Sequence, residues 1–311
     1  MLTRPIGRLA FPEAFLERAP RLIYTSFAFA KEEQHLTEGK GSTMSQPWFK
    51  ISLAEWSLNK TIWAGKMTNL DFPRIAKRDF GIDCVEYVDQ FFADKGGDDA
   101  YFAELKKCCD DEGVTSGLIM LDTPGAYAAS DKAVRETAIE KACVFMHGAA
   151  QLGCYAIRIN APGDGTPEEH AKRMIESGFR LAEYAATLNL YVLIENHGGL
   201  SSDPNWLVPI MEQVNHPNFG SLPDFGNFAP ETDRYDGVKR LMPYAKAVSA
   251  KASNFSEDGL CVETDYFKMM SIVKEAGFRG YIGIESGHKD QEHEPDAIRM
   301  THDLLKRFLS E

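Results

Sequence analysis

The sequence predicts a single closed barrel of eight parallel β-strands, each followed by an α-helix, over residues 47–311. Three observations lead there. Short apolar runs alternate with amphipathic helical stretches eight times, the rhythm of a parallel sheet covered by helices. The repeat fills about 265 residues, and such barrels commonly run to about 250. Several apolar runs stop abruptly in polar residues: YVLIENHGG in Glu195, Asn196 and His197, SLPDFGNF in Asp224, and YIGIESGH in Glu285 and His288. Those polar ends are spread over most units and no G-x-G-x-x-G follows the first strand, which disfavours an open doubly wound sheet.

The elements follow in order. Residues 50–56 (KISLAEW) read as the first strand and 70–78 as a short amphipathic helix, ended by the glycine that leads into strand 81–87. Residues 98–111 carry acidic residues in the first turn and apolar spacing of three and four, hence a helix. Strand 114–121 precedes a long helix, 130–152, opening with Ser130-Asp131. Strand 154–160 precedes helix 166–188, whose Thr166-Pro167-Glu168-Glu169 start combines a cap, a proline at the first helical position and a glutamate three along. The remaining pairs are strand 191–195 with helix 204–214, strand 219–224 with a helix near 234–242, strand 247–251 with helix 263–276, and strand 281–285 with helix 296–309.

Residues 1–46 precede this repeat and are read as a poorly ordered extension. Pro5, Pro12, Glu13, Glu17, Arg18 and Pro20 break any apolar core, so no secretory signal is predicted. The segment's five acidic residues also disfavour a mitochondrial-type leader, and Met44 begins a stretch that reads as a natural start. Gly39-Lys40-Gly41-Ser42-Thr43 lacks the spacing of a phosphate loop.

Composition narrows the class. The chain has 34 basic and 46 acidic residues, a formal net charge of −12, which argues against nucleic acid as a partner. No apolar run is long enough to span a bilayer. The six cysteines include no CxxC pair, and they read as reduced thiols packed in a cytoplasmic protein.

In a closed barrel the active site forms at the C-terminal ends of the strands. Reading those ends gives Glu55, Glu86, Asp122, Arg158, Asn160, Glu195, His197, Asp224, Asn227, Ser249, Lys251, Glu285 and His288. Glu195, Asp224 and Glu285 would converge from strands five, six and eight. Three carboxylates at low dielectric repel one another, so either some hold protons or a cation sits among them. Oxygen donors suit Mn²⁺ or Mg²⁺, and an added imidazole such as His197 favours Mn²⁺, Co²⁺ or Zn²⁺. The bland alternative treats each acid as a helix cap beyond its strand. Glu86, Arg158, Asn160, His197 and His288 are candidate substrate binders, with ordinary ion pairing as the competing reading. Trp48, Trp56, Trp63, Phe91 and Phe92 could form an apolar wall for a sugar face, with core packing as the alternative.

IENHGG, PDFGNF, the A-K-A segment on strand seven and GIESG resemble the xylose-isomerase-like barrels, which include sugar epimerases, sugar isomerases and inosose dehydratases. The resemblance covers roughly residues 48–309. It implies a divalent metal held by a glutamate ending strand five, an aspartate ending strand six, a histidine on strand seven and a glutamate ending strand eight, with the two glutamates moving the proton. Carried over, these are Glu195, Asp224 and Glu285. The histidine position holds Ser249, and Lys251 follows two residues on. A substrate-contacting histidine three residues after the strand-six aspartate is replaced by Asn227.

The expected activity is therefore a metal-dependent sugar isomerase or epimerase acting on a keto-sugar or related polyol. Dehydration of a keto-sugar or inosose begins with the same proton abstraction, and a non-catalytic sugar-binding barrel with a decayed metal site is the rival from another class. A nuclease with a zinc cluster is disfavoured by the acidic charge and by too few histidines at strand ends. A homo-oligomer is compatible with the barrel.

Overall fold

The computed structural model describes residues 47–310, so the expectation for the extension over residues 1–46 falls outside the described residues. Eight parallel strands form one sheet: β1 (Lys50–Ala54), β2 (Cys84–Val88), β3 (Thr115–Leu121), β4 (Ala156–Ile159), β5 (Tyr191–Glu195), β6 (Phe219–Leu222), β7 (Val248–Ala252) and β8 (Tyr281–Ser286). Sequential strands pair from β1 to β6, and β8 joins β1 to β7. The remaining seam between β6 and β7 is closed by isolated bridges, Ser221 with Ala245 and Asp224 with Ser249. Pro223 explains why no regular ladder forms there. It has no N–H to donate, yet its carbonyl accepts the Ser249 N–H at 2.9 Å. That irregular seam sets Asp224 beside Ser249.

The helices are α1 (Asn59–Trp63), α2 (Phe72–Phe80), α3 (Asp99–Glu112), α4 (Lys132–Leu152), α5 (Pro167–Thr187), α6 (Pro204–Val214), α7 (Arg234–Leu241), α8 (Tyr266–Glu275) and α9 (Glu294–Lys306). Thr166 and Glu169 form a full capping box at the start of α5. Gly81 closes α2 at φ 70°, a left-handed position that costs glycine nothing.

Several boundaries differ from expectation near the site: β6 stops at Leu222 and β4 at Ile159, which leaves Asp224 and Asn160 just beyond their strands. β1 ends at Ala54, and Glu55–Leu58 turns into a 3-10 helix. Glu55 is fully buried there, accepting hydrogen bonds from the Val88 N–H at 3.0 Å and Asn69 Nδ2 at 2.8 Å. It ties the ends of β1 and β2 together instead of facing the mouth. The last helix begins at Glu294, two residues before the expected start, with Pro295 in its first turn.

Alternate residues of each strand face inward. A small interior cluster of Ala54, Val88, Leu118, Met120, Ala156, Leu193, Leu222 and Ala247 fills the cylinder, while the larger core packs strands against helices. Glu86 also points inward, 2 % exposed, and accepts the Ser52 hydroxyl at 2.5 Å. A Cβ at Gly283 would lie 2.6 Å from the Glu86 carboxylate, so the glycine leaves the space that this buried carboxylate occupies. Gly283 lies two residues before Glu285 on β8, which places Glu86 one interior layer below the strand-end acids.

Candidate active site

Glu195, Asp224 and Glu285 each offer an oxygen within 4.8 Å of the other two. All three are buried. Each carboxylate is anchored on one side. Glu195 Oε1 accepts from Asn227 Nδ2 at 2.9 Å. Asp224 Oδ1 accepts the backbone N–H groups of Gly226 and Asn227, both at 2.7 Å. Glu285 Oε1 takes Lys251 Nζ at 2.5 Å. The second oxygens are freer: Ser249 Oγ donates to Asp224 Oδ2 at 2.7 Å and reaches Glu285 Oε2 at 3.4 Å.

Glu195 Oε2 lies 2.8 Å from Arg158 Nε, yet neither atom makes a hydrogen bond. The charges are close, but the N–H is not aimed at the oxygen. Arg158 Nη1 instead donates to Asp122 Oδ1 at 2.5 Å and to Asn160 Oδ1 at 3.2 Å. Asn160 Nδ2 and Gln90 Nε2 complete the Asp122 carboxylate. The Asn196 side chain points away from the acids; its Nδ2 donates to the Asp224 carbonyl and its Oδ1 accepts the Asp224 N–H. It thereby fixes the ends of β5 and β6 in register.

Of the expected site residues, the structure groups Glu195, Asp224, Glu285, Arg158, Asn160, Asn227 and Lys251. His197 stands at the rim outside the close trio; its backbone N–H donates to Ser201 Oγ. Burial and the Arg158 charge lower its pKa, against the pull of Glu285 and Asp122. Glu86 lies below the mouth. His288 gathers with Asp290 and His293 in a separate group on the loop after β8. Among the aromatics, Trp56, Trp63 and Phe91 form one triangle with ring centroids 5.4–6.1 Å apart, while Trp48 and Phe92 are buried in the core. Sequence reasoning gave no role to Asn196. Its signal was the alternation in IENH, which turns it away from its neighbours Glu195 and His197.

Electrostatics divides the carboxyls. Burial and the neighbouring acids push Glu195 up to about 8, although Arg158 pulls it down. Asp224 is raised, chiefly by burial. Burial would raise Glu285 as well, but Lys251 prevails and holds it below the usual range. Arg158 likewise overcomes burial at Asp122.

A model of the family described as the xylose isomerase-like TIM barrel matches residues 75–308. The chain belongs to this xylose isomerase-like family. Solved structures similar to this family member include the probable 3-DHS dehydratase AsbF of Bacillus anthracis, at 19% identity and TM-score 0.64, covering 83% of this chain and 99% of that one. The 3-keto-D-glucoside 4-epimerase YcjR of E. coli follows at 13% and 0.67, covering 83% and 99%. A D-psicose 3-epimerase of Clostridium cellulolyticum H10 aligns at 13% and 0.67, covering 85% and 100%. No curated protein matches the chain in sequence.

The xylose isomerase-like site fits a divalent cation on its own geometry. Glu195 Oε2 is buried and accepts no hydrogen bond, with only the Arg158 guanidinium beside it at 2.8 Å, and one oxygen of each of the three acids lies within 4.8 Å of the other two. The donor set is carboxylates and one hydroxyl, which suits hard ions.

A pH dependence of stability follows. Glu55 and Glu195 are raised from 4.5 to about 8 and Glu86 to about 7, all by burial first. The folded state therefore binds more protons than the unfolded chain through that window, and stability falls as pH rises. His170, His197 and His302 have lowered pKa values and act in the opposite sense, but only below about pH 6.5. Asp122 and Glu285, held low, contribute fully across neutral pH and lose their contribution only in acid. The urea midpoint of metal-free protein is expected to drop between pH 6.5 and 8.5. Each tenfold difference in proton affinity between the folded and unfolded chain is worth about 1.4 kcal/mol. A flat or rising midpoint would show that these acids are solvated.

Proposed function

We propose that this protein is a divalent-metal-dependent sugar isomerase or epimerase acting on a keto-sugar or related polyol. The observation that carries the reading is the meeting of three buried carboxylates from the ends of three strands, each with an oxygen within 4.8 Å of the other two. Glu195, Asp224 and Glu285 would hold the ion, which supplies Lewis-acid polarisation of the carbonyl and its neighbouring hydroxyl.

The chain's own groups divide the remaining work. Glu285, kept ionised by Lys251, is the base that takes the proton from the carbon beside the carbonyl. Glu195, on the other flank of Asp224 and Ser249 in the barrel order, is the group that returns one. Asn227 holds Glu195 through Oε1. Arg158, Asn160 and His197 line the mouth as donors for substrate hydroxyls, and Trp56, Trp63 and Phe91 offer an apolar face.

A dehydratase is the second reading, supported by the likeness of the fold to the probable 3-DHS dehydratase AsbF. Among the described residues no helix is long and apolar enough to cross a membrane, and all six cysteines are free of disulfides. A reducing cytoplasmic setting is part of the proposal.

The test is incubation of metal-loaded protein with a panel of keto-sugars and inososes in deuterated water, followed by mass spectrometry. Deuterium gain at the carbon beside the carbonyl with the atoms otherwise retained supports isomerisation. Loss of water supports the dehydratase, and no exchange with any member contradicts both.

A further inference from the structure

We infer that the loop after β8 carries a second metal site, taking a borderline divalent transition ion such as Zn²⁺ or Cu²⁺ through His288, Asp290 and His293. It is independent of the carboxylate trio. The three side chains each place a ligand atom within 4.8 Å of the other two. The two imidazole rings lie 4.7 Å apart between centroids, and Asp290 Oδ2 is 4.0 Å from His288 Nδ1. Two imidazoles and one carboxylate are a donor set for Zn²⁺, Cu²⁺, Co²⁺ or Ni²⁺, unlike the oxygen donors of the trio. Zn–N bonds of about 2.0–2.1 Å set tetrahedral ligand atoms about 3.4 Å apart, so the group must contract by roughly 1 Å. Side-chain rotation supplies that.

The segment is held at both ends, which lowers the ordering cost of binding. Before it, Ser57 Oγ donates to the Ile284 carbonyl at 3.1 Å and accepts the Ser286 N–H at 3.0 Å. After it, the buried Glu294 carboxylate accepts from the Lys60 N–H, the Thr61 N–H and the Thr61 hydroxyl at 2.9, 3.1 and 2.7 Å. Within it, Lys66 Nζ donates to Gln291 Oε1 at 3.1 Å. His288 Nδ1 lies 3.1 Å from the Asp290 N–H and 3.3 Å from the Asp290 carbonyl, so the backbone of Asp290 fixes the ring beside its own carboxylate. An ion there competes only with these two contacts to the Asp290 backbone. Side-chain exposures of 30%, 51% and 48% for His288, Asp290 and His293 leave an entry path and room for water ligands.

The test is Cu²⁺ titration of the chelator-treated full chain, read by electron paramagnetic resonance, with Zn²⁺ stoichiometry by equilibrium dialysis. Wild-type protein is expected to show nitrogen hyperfine structure from two imidazoles. H288A/H293A is expected to lose that signal together with one equivalent of Zn²⁺, at an unchanged melting temperature in the absence of metal. E195Q/E285Q is expected to keep it, and D290N to weaken Zn²⁺ binding tenfold or more without abolishing the nitrogen signal. A nitrogen-coupled equivalent that survives in H288A/H293A, or that wild-type protein never shows, overturns the site. If the trio holds no metal, wild-type protein binds one equivalent and H288A/H293A none, so the two readings fail separately.

Discussion

Replacing Glu285 with glutamine is expected to slow proton exchange by about 10²- to 10⁴-fold, the usual worth of a positioned acid–base group. Glutamine keeps the shape and can still offer an oxygen to Lys251 Nζ, now 2.5 Å from Glu285 Oε1. It cannot accept a proton from carbon. With the metal kept at saturation, KM should change far less than kcat, because Arg158, Asn160 and His197 on the hydroxyl-binding side of the mouth are untouched. Exchange at the wild-type rate in E285Q would remove Glu285 from the reaction.

The second large effect is on stability. Arg158 is 4% exposed and is the cation paired with both Asp122 and Glu195. Replacing it with leucine leaves two carboxyls without their cation, and breaking such a buried pair costs about 3–5 kcal/mol. The loss should depend on pH in a particular sense. Glu195, already raised to about 8, escapes part of the penalty by staying protonated, whereas Asp122, held low by Arg158, loses that support. R158L is therefore expected to be destabilised more at pH 8 than at pH 5, measured by urea unfolding. An equal loss at both pH values would mean that packing of the arginine stem, not its charge, carries the effect.

Much of the architecture was legible because barrel strands and their helices carry local signals. The run YVLIE became β5 with the expected bounds, and Thr166 to Glu169 became a capping box. The convergence of Glu195, Asp224 and Glu285 followed from strand-end position once the barrel was assumed. What local pattern could not supply was depth. The two-residue period correctly turns Glu86 inward, but only the pairing of β1 with β8 and the gap at Gly283 show that it sits a layer beneath the mouth. Glu55 faces away from the mouth because the strand stops two residues earlier than expected, at Ala54, and curls into a 3-10 turn. Asp122 was seen only as one more strand end; its pairing with Arg158 is a contact across β3 and β4 that no spacing announces. His288 stands among the expected substrate binders, but the structure sets it with Asp290 and His293 in a group of its own.

Ser249 and Lys251 gain a physical role from the seam at Pro223. The Ser249 hydroxyl donates to Asp224, and the β7–β8 register sets Lys251 opposite Glu285. A serine and an ammonium thus hold two of the acids in place, with one oxygen of each within 4.8 Å of Glu195.

The central assertion is that one hard divalent ion, shared by Glu195, Asp224 and Glu285, is needed for the proton transfer. Chelator-treated protein should lose deuterium exchange at the carbon beside the carbonyl and regain it with one equivalent of Mn²⁺ or Mg²⁺ per chain. E195Q/D224N/E285Q should neither bind that equivalent nor recover exchange. Undiminished exchange after chelation, or an equivalent of Mn²⁺ still retained by the triple variant when His288 and His293 are also replaced with alanine, would contradict the account.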